Sequence, residues 1–299
     1  MQSRYMAVLS VLAALACAPA ANAAVTPFSD TYKGHHLDGA VSSCRTPLPL
    51  TGLEPSGPGH PVLVHLVGAG EPHDGAEAPA ILRAAAAKGF VAASVAYPQW
   101  QFHAKGIDGS SRCIFDSWSP ASAIARLCGR PTANCYKGVV VSGFSQGGVI
   151  ALRAANHDWR VRGAYLLGVA EERSGWEGTS RWTQATTWPV GTRALPNRSI
   201  RIVNGITDAP PSSRDELNEM TGRSCAVTAV SCLAADGSGW YVVQHSQVAT
   251  RMADHCYFMG GTGWSSCTPD PPFDRTWLTS TTAPWALRPN LEWLRRRTG

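Results

Sequence analysis

The 299-residue chain is poor in charge, with Asp, Glu, Lys and Arg making up only 16% of it, and poorer still in lysine. Lys33, Lys88, Lys105 and Lys137 are its only lysines, so the net charge of +5 rests on arginine. The arginines are scattered except for Arg295, Arg296 and Arg297 near the C-terminus, whereas a nucleic-acid surface calls for a clustered basic face. No C-x-x-C pair occurs, which argues against structural zinc. Internal repeats and low-complexity tracts are also missing. Beyond the N-terminus no apolar run reaches the roughly 20 residues of a membrane-spanning helix.

What is present begins with an export signal. Arg4 supplies a basic start, Met6 to Ala16 an apolar run too short to span a bilayer, and Ala21-Asn22-Ala23 a small-x-small cleavage site. Residues 1–23 therefore read as a signal peptide. Cys17 raises a lipoprotein alternative, disfavoured because Ala14 stands where a large aliphatic residue is usual. The remaining 276 residues suffice for one large domain, 24–299, expected to be a soluble, exported monomer, extracellular or periplasmic. Eight cysteines remain in it, at 44, 113, 128, 135, 225, 232, 256 and 267, an even number that suits disulfides in an oxidising compartment. Spacing suggests local bridges Cys128–Cys135, Cys225–Cys232 and Cys256–Cys267, leaving Cys44–Cys113. Spacing alone does not prove connectivity, since eight cysteines allow on the order of a hundred pairings.

After a Pro/Gly-rich lead-in, Pro47 to Pro61, apolar strand patterns alternate with helical ones. Strands are expected over 61–70, 90–98, 136–143, 161–170, 199–205 and 239–248. Helices are expected over 76–90, stopped by Gly89, over 119–129 with Ser119 as N-cap and Pro120 in the first turn, and over 145–157, 212–222 and 289–297. This alternation implies crossover connections and a mostly parallel sheet with helices on both faces, an α/β fold. The segment 171–196 carries Trp176, Trp182 and Trp188 without periodicity, and reads as an insertion over one end of the sheet.

The stretch "GVVVSGFSQGGVIAL", 138–152, sets Ser145 between a strand and a helix and hedges it with Gly143, Gly147 and Gly148. A G-x-S-x-G match alone is weak, but strand–turn–helix is the setting a nucleophile elbow requires. A serine at such a tip takes a strained backbone, so its neighbours two residues away need almost no side chain. The helix that follows aims free N–H groups and its positive dipole end at the serine. The plain alternative is a structural turn with an incidental serine. On these residues the chain resembles the α/β-hydrolase superfamily over nearly its whole mature length. "GFSQG" is also similar to the elbow of the cutinase and acetylxylan esterase group, with Phe144 in place of tyrosine. A long-range cysteine pair, 44 and 113, and a seven-apart pair, 225 and 232, add to that likeness. Cutinases carry their catalytic aspartate between the late cysteines, however, and "CAVTAVSC" holds no carboxylate, so the subgroup is only a neighbour.

The resemblance implies the order serine, acid, histidine. Asp208, just past the strand in "IRIVNGITDAPP", is the candidate acid; Asp236 precedes a strand and Asp254 adjoins a histidine, which makes both poorer candidates. Of the later histidines, His157 ends the serine's own helix and His245 falls within the last expected strand, leaving His255 in a loop as the candidate base. Oxyanion donors are expected from the amides of Gln146 and of Ala69, in Val67-Gly68-Ala69-Gly70, where the superfamily's His-Gly-x-Gly lacks its histidine. The same glycines do not make a dinucleotide site, because position 73 is His instead of a third glycine. Trp100, Trp176, Trp182 and Trp188 are candidates for lining a substrate site, although tryptophans more commonly pack. The resulting expectation is an exported serine hydrolase that cleaves carboxylic esters of a lipid, polyester or acylated polysaccharide, using no metal or cofactor. The alternatives are a non-catalytic binding protein on the same fold, or a peptidase or acyltransferase of the superfamily.

Overall fold

Val62–Leu66 (β3) and Val91–Val95 (β4) are five-residue runs with every side chain buried, as are the six residues of Val139–Phe144 (β5). Apolar side chains alternating to both sides of a strand demand cover on both faces, and the fold supplies it. The computed structural model describes residues 24–34, 42–75, 77–99, 104–169, 194–259 and 273–299. The other strands are Val25–Tyr32 (β1), Leu48–Pro55 (β2), Val161–Leu167 (β6), Ile200–Gly205 (β7), Ser231–Leu233 (β8) and Gly239–Val243 (β9). Among the described residues all nine form one sheet in the order β1-β2-β4-β3-β5-β6-β7-β9-β8. The six central strands from β4 to β9 are parallel, while β1, β2 and β8 run antiparallel to their neighbours at the edges.

Seven α-helices are described: Glu77–Ala86 (α1), Ala104–Phe115 (α2), Ala123–Cys128 (α3), Gln146–Leu152 (α4), Arg214–Thr221 (α5), Arg275–Thr279 (α6) and Leu287–Arg295 (α7). One face of the sheet packs Val62, Val64 and Leu66 against apolar residues of α2, α3, α4 and α5. The opposite face packs Leu63, Val140 and Tyr165 against α1, α6, α7 and the segment Cys256–Met259.

The helix expected over 119–129 starts later than its sequence suggests. Ser122, not Ser119, is the N-cap of α3, and its side chain accepts the Ala125 N–H at 3.2 Å. Ser119 instead closes the preceding turn, its N–H donating to the Asp116 carbonyl. The lead-in Pro47 to Pro61 is not mere linker, because β2 lies inside it. Gly52 makes that pairing possible, since a Cβ there would strike the Phe28 ring and the Ala92 carbonyl. The last expected strand, 239–248, ends at Val243, where Gln244 and Gln247 cap a 3-10 turn over His245–Gln247. Gly89 does end the first helical segment, at φ 81°.

Three expected disulfides are present, Cys44–Cys113, Cys128–Cys135 and Cys225–Cys232. Cys256 is also disulfide-bonded, and its expected partner Cys267 lies outside the described residues. So do residues 1–23, read above as an export signal, with Cys17, as well as Trp100 and the greater part of 171–196 with Trp176, Trp182 and Trp188. No helix among the described residues is long and apolar enough to cross a membrane.

Candidate active site

Ser145 stands at the turn between β5 and α4 with φ 51° and ψ −124°. Of the described non-glycine residues only Arg251 shares a positive φ with it. The turn is pinned by the Ser145 N–H, which donates to the Leu167 carbonyl in β6 at 2.9 Å, while the Ser145 carbonyl accepts the Val149 N–H at 3.2 Å. The glycines around it are sterically required. A Cβ at Gly143 would lie 2.5 Å from the Gly147 backbone, and one at Gly147 would meet the carbonyls of Leu66 and Val67. The start of α4, at Gly147, therefore lies directly against the end of β3 and the root of the loop that carries Ala69.

Asp208 follows β7 in a turn closed by the N–H groups of Asp208 and Ala209, both donating to the Gly205 carbonyl. It is 3% exposed, and Asn204 Nδ2 donates to its Oδ2 at 3.2 Å. Its Oδ1 lies 2.8 Å from His255 Nδ1. Burial pushes the Asp208 carboxyl above the ordinary carboxylate range, and His255 pulls it back. A buried carboxylate of this kind keeps its charge by virtue of its partners.

His255 comes from the loop after β9, 47 residues beyond Asp208, and two contacts join their loops. Thr207 N–H donates to the Ala253 carbonyl at 3.0 Å. Gly205 lies so close that a Cβ would meet the carbonyls of Ala253 and Asp254. The imidazole also packs on Phe144, with ring centroids 4.8 Å apart, and Phe144 meets Phe258 edge-on at 5.1 Å. A Cβ on Gly168, which has φ 58°, would lie 2.9 Å from Phe144 and 3.2 Å from His255. The structure thus brings the elbow, Asp208 and His255 together.

The other candidates go elsewhere. His245 is not in the sheet; its Nδ1 accepts the Ala253 N–H at 3.0 Å, fastening the base of the His255 loop. His157 pairs with Asp108 of α2 at 3.2 Å. Asp236 accepts from Ser238 and Arg297, and Asp254 accepts the Cys256 N–H. Asn204, Gly205, Gly168 and the Phe144 ring support the site and escaped the sequence reading. Asn204 and Gly205 sat in plain view inside "IRIVNGITD", but only contacts across the fold give them roles.

In the glycine loop, the Gly68 N–H donates to Glu71 Oε2 at 3.3 Å and the Gly70 N–H to Gln99 Oε1 at 2.9 Å. The Ala69 N–H between them has no acceptor among the described residues. No group of three or more His, Cys, Asp or Glu side chains is arranged to hold a metal ion among the described residues.

No protein-family model and no curated protein matches the sequence. Solved structures do match. A proposed carboxylesterase from Lactobacillus plantarum is 13% identical, with a TM-score of 0.51 over 92% of this chain and 98% of that one. Esterase B from Lactobacillus rhamnosis, solved with a tributyrin phosphonate, is 14% identical with a TM-score of 0.50, over 91% of this chain and 85% of that one. A bacterial heroin esterase is 13% identical with a TM-score of 0.50, over 92% and 85%. None of these concerns the cutinase group, and Asp208 precedes Cys225, outside the Cys225–Cys232 loop. The sheet order, the elbow and these neighbours together establish that this chain has the α/β-hydrolase fold.

Proposed function

We propose that the protein is an exported serine hydrolase that cleaves carboxylic esters through an acyl-enzyme. The observation that carries this reading is the His255–Asp208 pair at 2.8 Å, held against Phe144 next to the strained Ser145. Asp208 accepts the Nδ1 proton, which leaves Nε2 as the basic nitrogen and stabilises the imidazolium once formed. Ser145 Oγ attacks the ester carbonyl and its proton passes to His255 Nε2. The tetrahedral oxyanion takes hydrogen bonds from the Gln146 and Ala69 amides at the α4 N-terminus and the glycine loop. His255 then protonates the departing alcohol, and water repeats the sequence to release the acid. The esterase descriptions of the structural neighbours support the ester class.

A fluorophosphonate probe tests this directly. The wild-type protein should be labelled and Ser145→Ala should not; a folded wild type that stays unlabelled would sink the reading. His255→Ala should lose nearly all turnover of p-nitrophenyl esters. His245→Ala, which only loosens the loop base, should retain more of it, and the reverse order would overturn the assignment of the base. A series of rising acyl length, beside polymer films and acetylated xylan, then defines the substrate.

A further inference from the structure

Under the glycine loop lie the buried Tyr97 and the half-buried Glu71 and Gln99, to which the chemistry above gives no part. Tyr97 Oη donates to the Val67 carbonyl at 2.7 Å. Glu71 is tied to Gly68 twice, with its Oε2 accepting the Gly68 N–H and its own N–H donating to the Gly68 carbonyl, both at 3.3 Å. Gln99 spans the loop's far side, with Oε1 accepting the Gly70 N–H at 2.9 Å and Nε2 donating to the Glu71 carbonyl at 2.5 Å. The side chains of Tyr97, Gln99 and Glu71 thus hold Val67, Gly68, Gly70 and Glu71, and the amide they bypass is that of Ala69. Gly70 sits at φ 85°, a conformation that glycine enters without steric cost.

We propose that Glu71 and Gln99 are the positioning residues of the oxyanion loop, doing the work of the absent loop histidine by occupying the amides of Gly68 and Gly70 so that the Ala69 amide faces the reacting carbonyl. The inference rests on the ester-hydrolase reading and adds to it a means by which pH acts on the site. Glu71 faces Glu77, the first residue of α1, together with His65 of β3 and Tyr97. Among the described residues neither oxygen of Glu77 has a well-aligned hydrogen-bond partner, yet the two carboxyls lie within each other's field. Burial raises both, and the charge of Glu77 raises Glu71 further. His65 supplies no counter-charge, since burial pushes it down to about 3; its Nδ1 lies 2.9 Å from Ser142 Oγ and its Nε2 3.5 Å from Glu77 Oε1. At alkaline pH both carboxyls ionise; the Gly68 N–H favours the charged Glu71, while the repulsion of Glu77 pushes against the arrangement that holds Gly68.

The test uses the full chain, with kcat and KM for p-nitrophenyl butyrate, fluorophosphonate labelling rates, a pH profile and thermal melting for each variant. Gln99→Leu and Glu71→Ala should lower kcat and the labelling rate about tenfold or more with KM changed less than about threefold, as expected for a misplaced donor. Glu71→Gln restores an acceptor for the Gly68 N–H but cannot ionise. It should recover most of the kcat that Glu71→Ala loses and should lack the wild-type decline on the alkaline side. Folded Gln99→Leu and Glu71→Ala with kcat within about twofold of wild type overturn the proposal. If those two do not fold, an alkaline decline in Glu71→Gln that matches wild type overturns it as well. A wild type that is neither labelled nor hydrolytic fails at the earlier reading and takes this one with it, whereas a labelled wild type with indifferent variants removes this one alone.

Discussion

Ser145 carries φ 51° and ψ −124°, the mirror image of an extended conformation. Glycine enters that region as readily as its mirror, but a side chain meets its own backbone there, at a cost of about 1–3 kcal/mol. The strain belongs to the residue and has a testable sign. Ser145→Gly should melt above Ser145→Ala by an amount on the order of 1 kcal/mol, or roughly 2–4 °C, even though both lack the proposed nucleophile. Equal melting temperatures would mean that the turn costs nothing. At this scale the places of Ser145, Asp208 and His255 in the fold were legible because each sits at a fixed place in a local pattern: after a strand, in a stiffened loop, or outside the sheet. Phe144 was legible only as an elbow position. Its packing on His255 joins two distant stretches of the sequence, and no local pattern records that contact.

The loops after β7 and β9 act as one element because Gly205 lets their backbones touch. An added Cβ there would strike two carbonyl oxygens of the His255 loop, and backbone cannot move aside as a flexible side chain can. Gly205→Ala should therefore separate Asp208 from His255. We expect a loss of about 1–3 kcal/mol in stability and a fall in kcat of about tenfold or more, read from thermal melting and steady-state kinetics on the same sample. Wild-type kcat in a folded Gly205→Ala protein would show that the two loops are set independently. The central strands were legible for the reason that makes them central: burial on both faces writes unbroken apolar runs. β1 and β2 were not. β1 is largely exposed, carries Pro27 and pairs on one side only, so its sequence has no apolar run to show. The helix α2 was hidden by its composition, AKGIDGSSRCIF, which favours turns. Tertiary burial of Ile107, Ile114 and Phe115 and the bridge at Cys113 hold it helical.

At the scale of the whole molecule, the disulfides differ in what they constrain. Cys128–Cys135 and Cys225–Cys232 each span 7 residues and stay within one neighbourhood of the chain. Cys44–Cys113 spans 69 residues and ties the start of β2's approach to α2 across the strands β2, β3 and β4. A crosslink mainly restricts the unfolded chain, and the restriction grows with the logarithm of the loop it closes. Loop length alone assigns about 4 kcal/mol to the long bridge and about 2.5 kcal/mol to each short one. Its surroundings favour the long bridge too, since Cys44 and Cys113 are both buried, whereas Cys128 and Cys225 are only partly so. Replacing Cys44 and Cys113 together by alanine should therefore lower the denaturant midpoint more than replacing either short pair. It should also loosen α2, whose Asp108 pairs with His157 and whose Ile107 and Ile114 share a core face with α4. Because α4 begins at the Ser145 turn, hydrogen exchange should rise through 104–115 and reach 146–152 in that variant, while the pair of Asp208 and His255, carried by the loops after β7 and β9, keeps its protection. Equal midpoints for the three double variants would mean that native packing, and not the unfolded chain, sets what each bridge contributes.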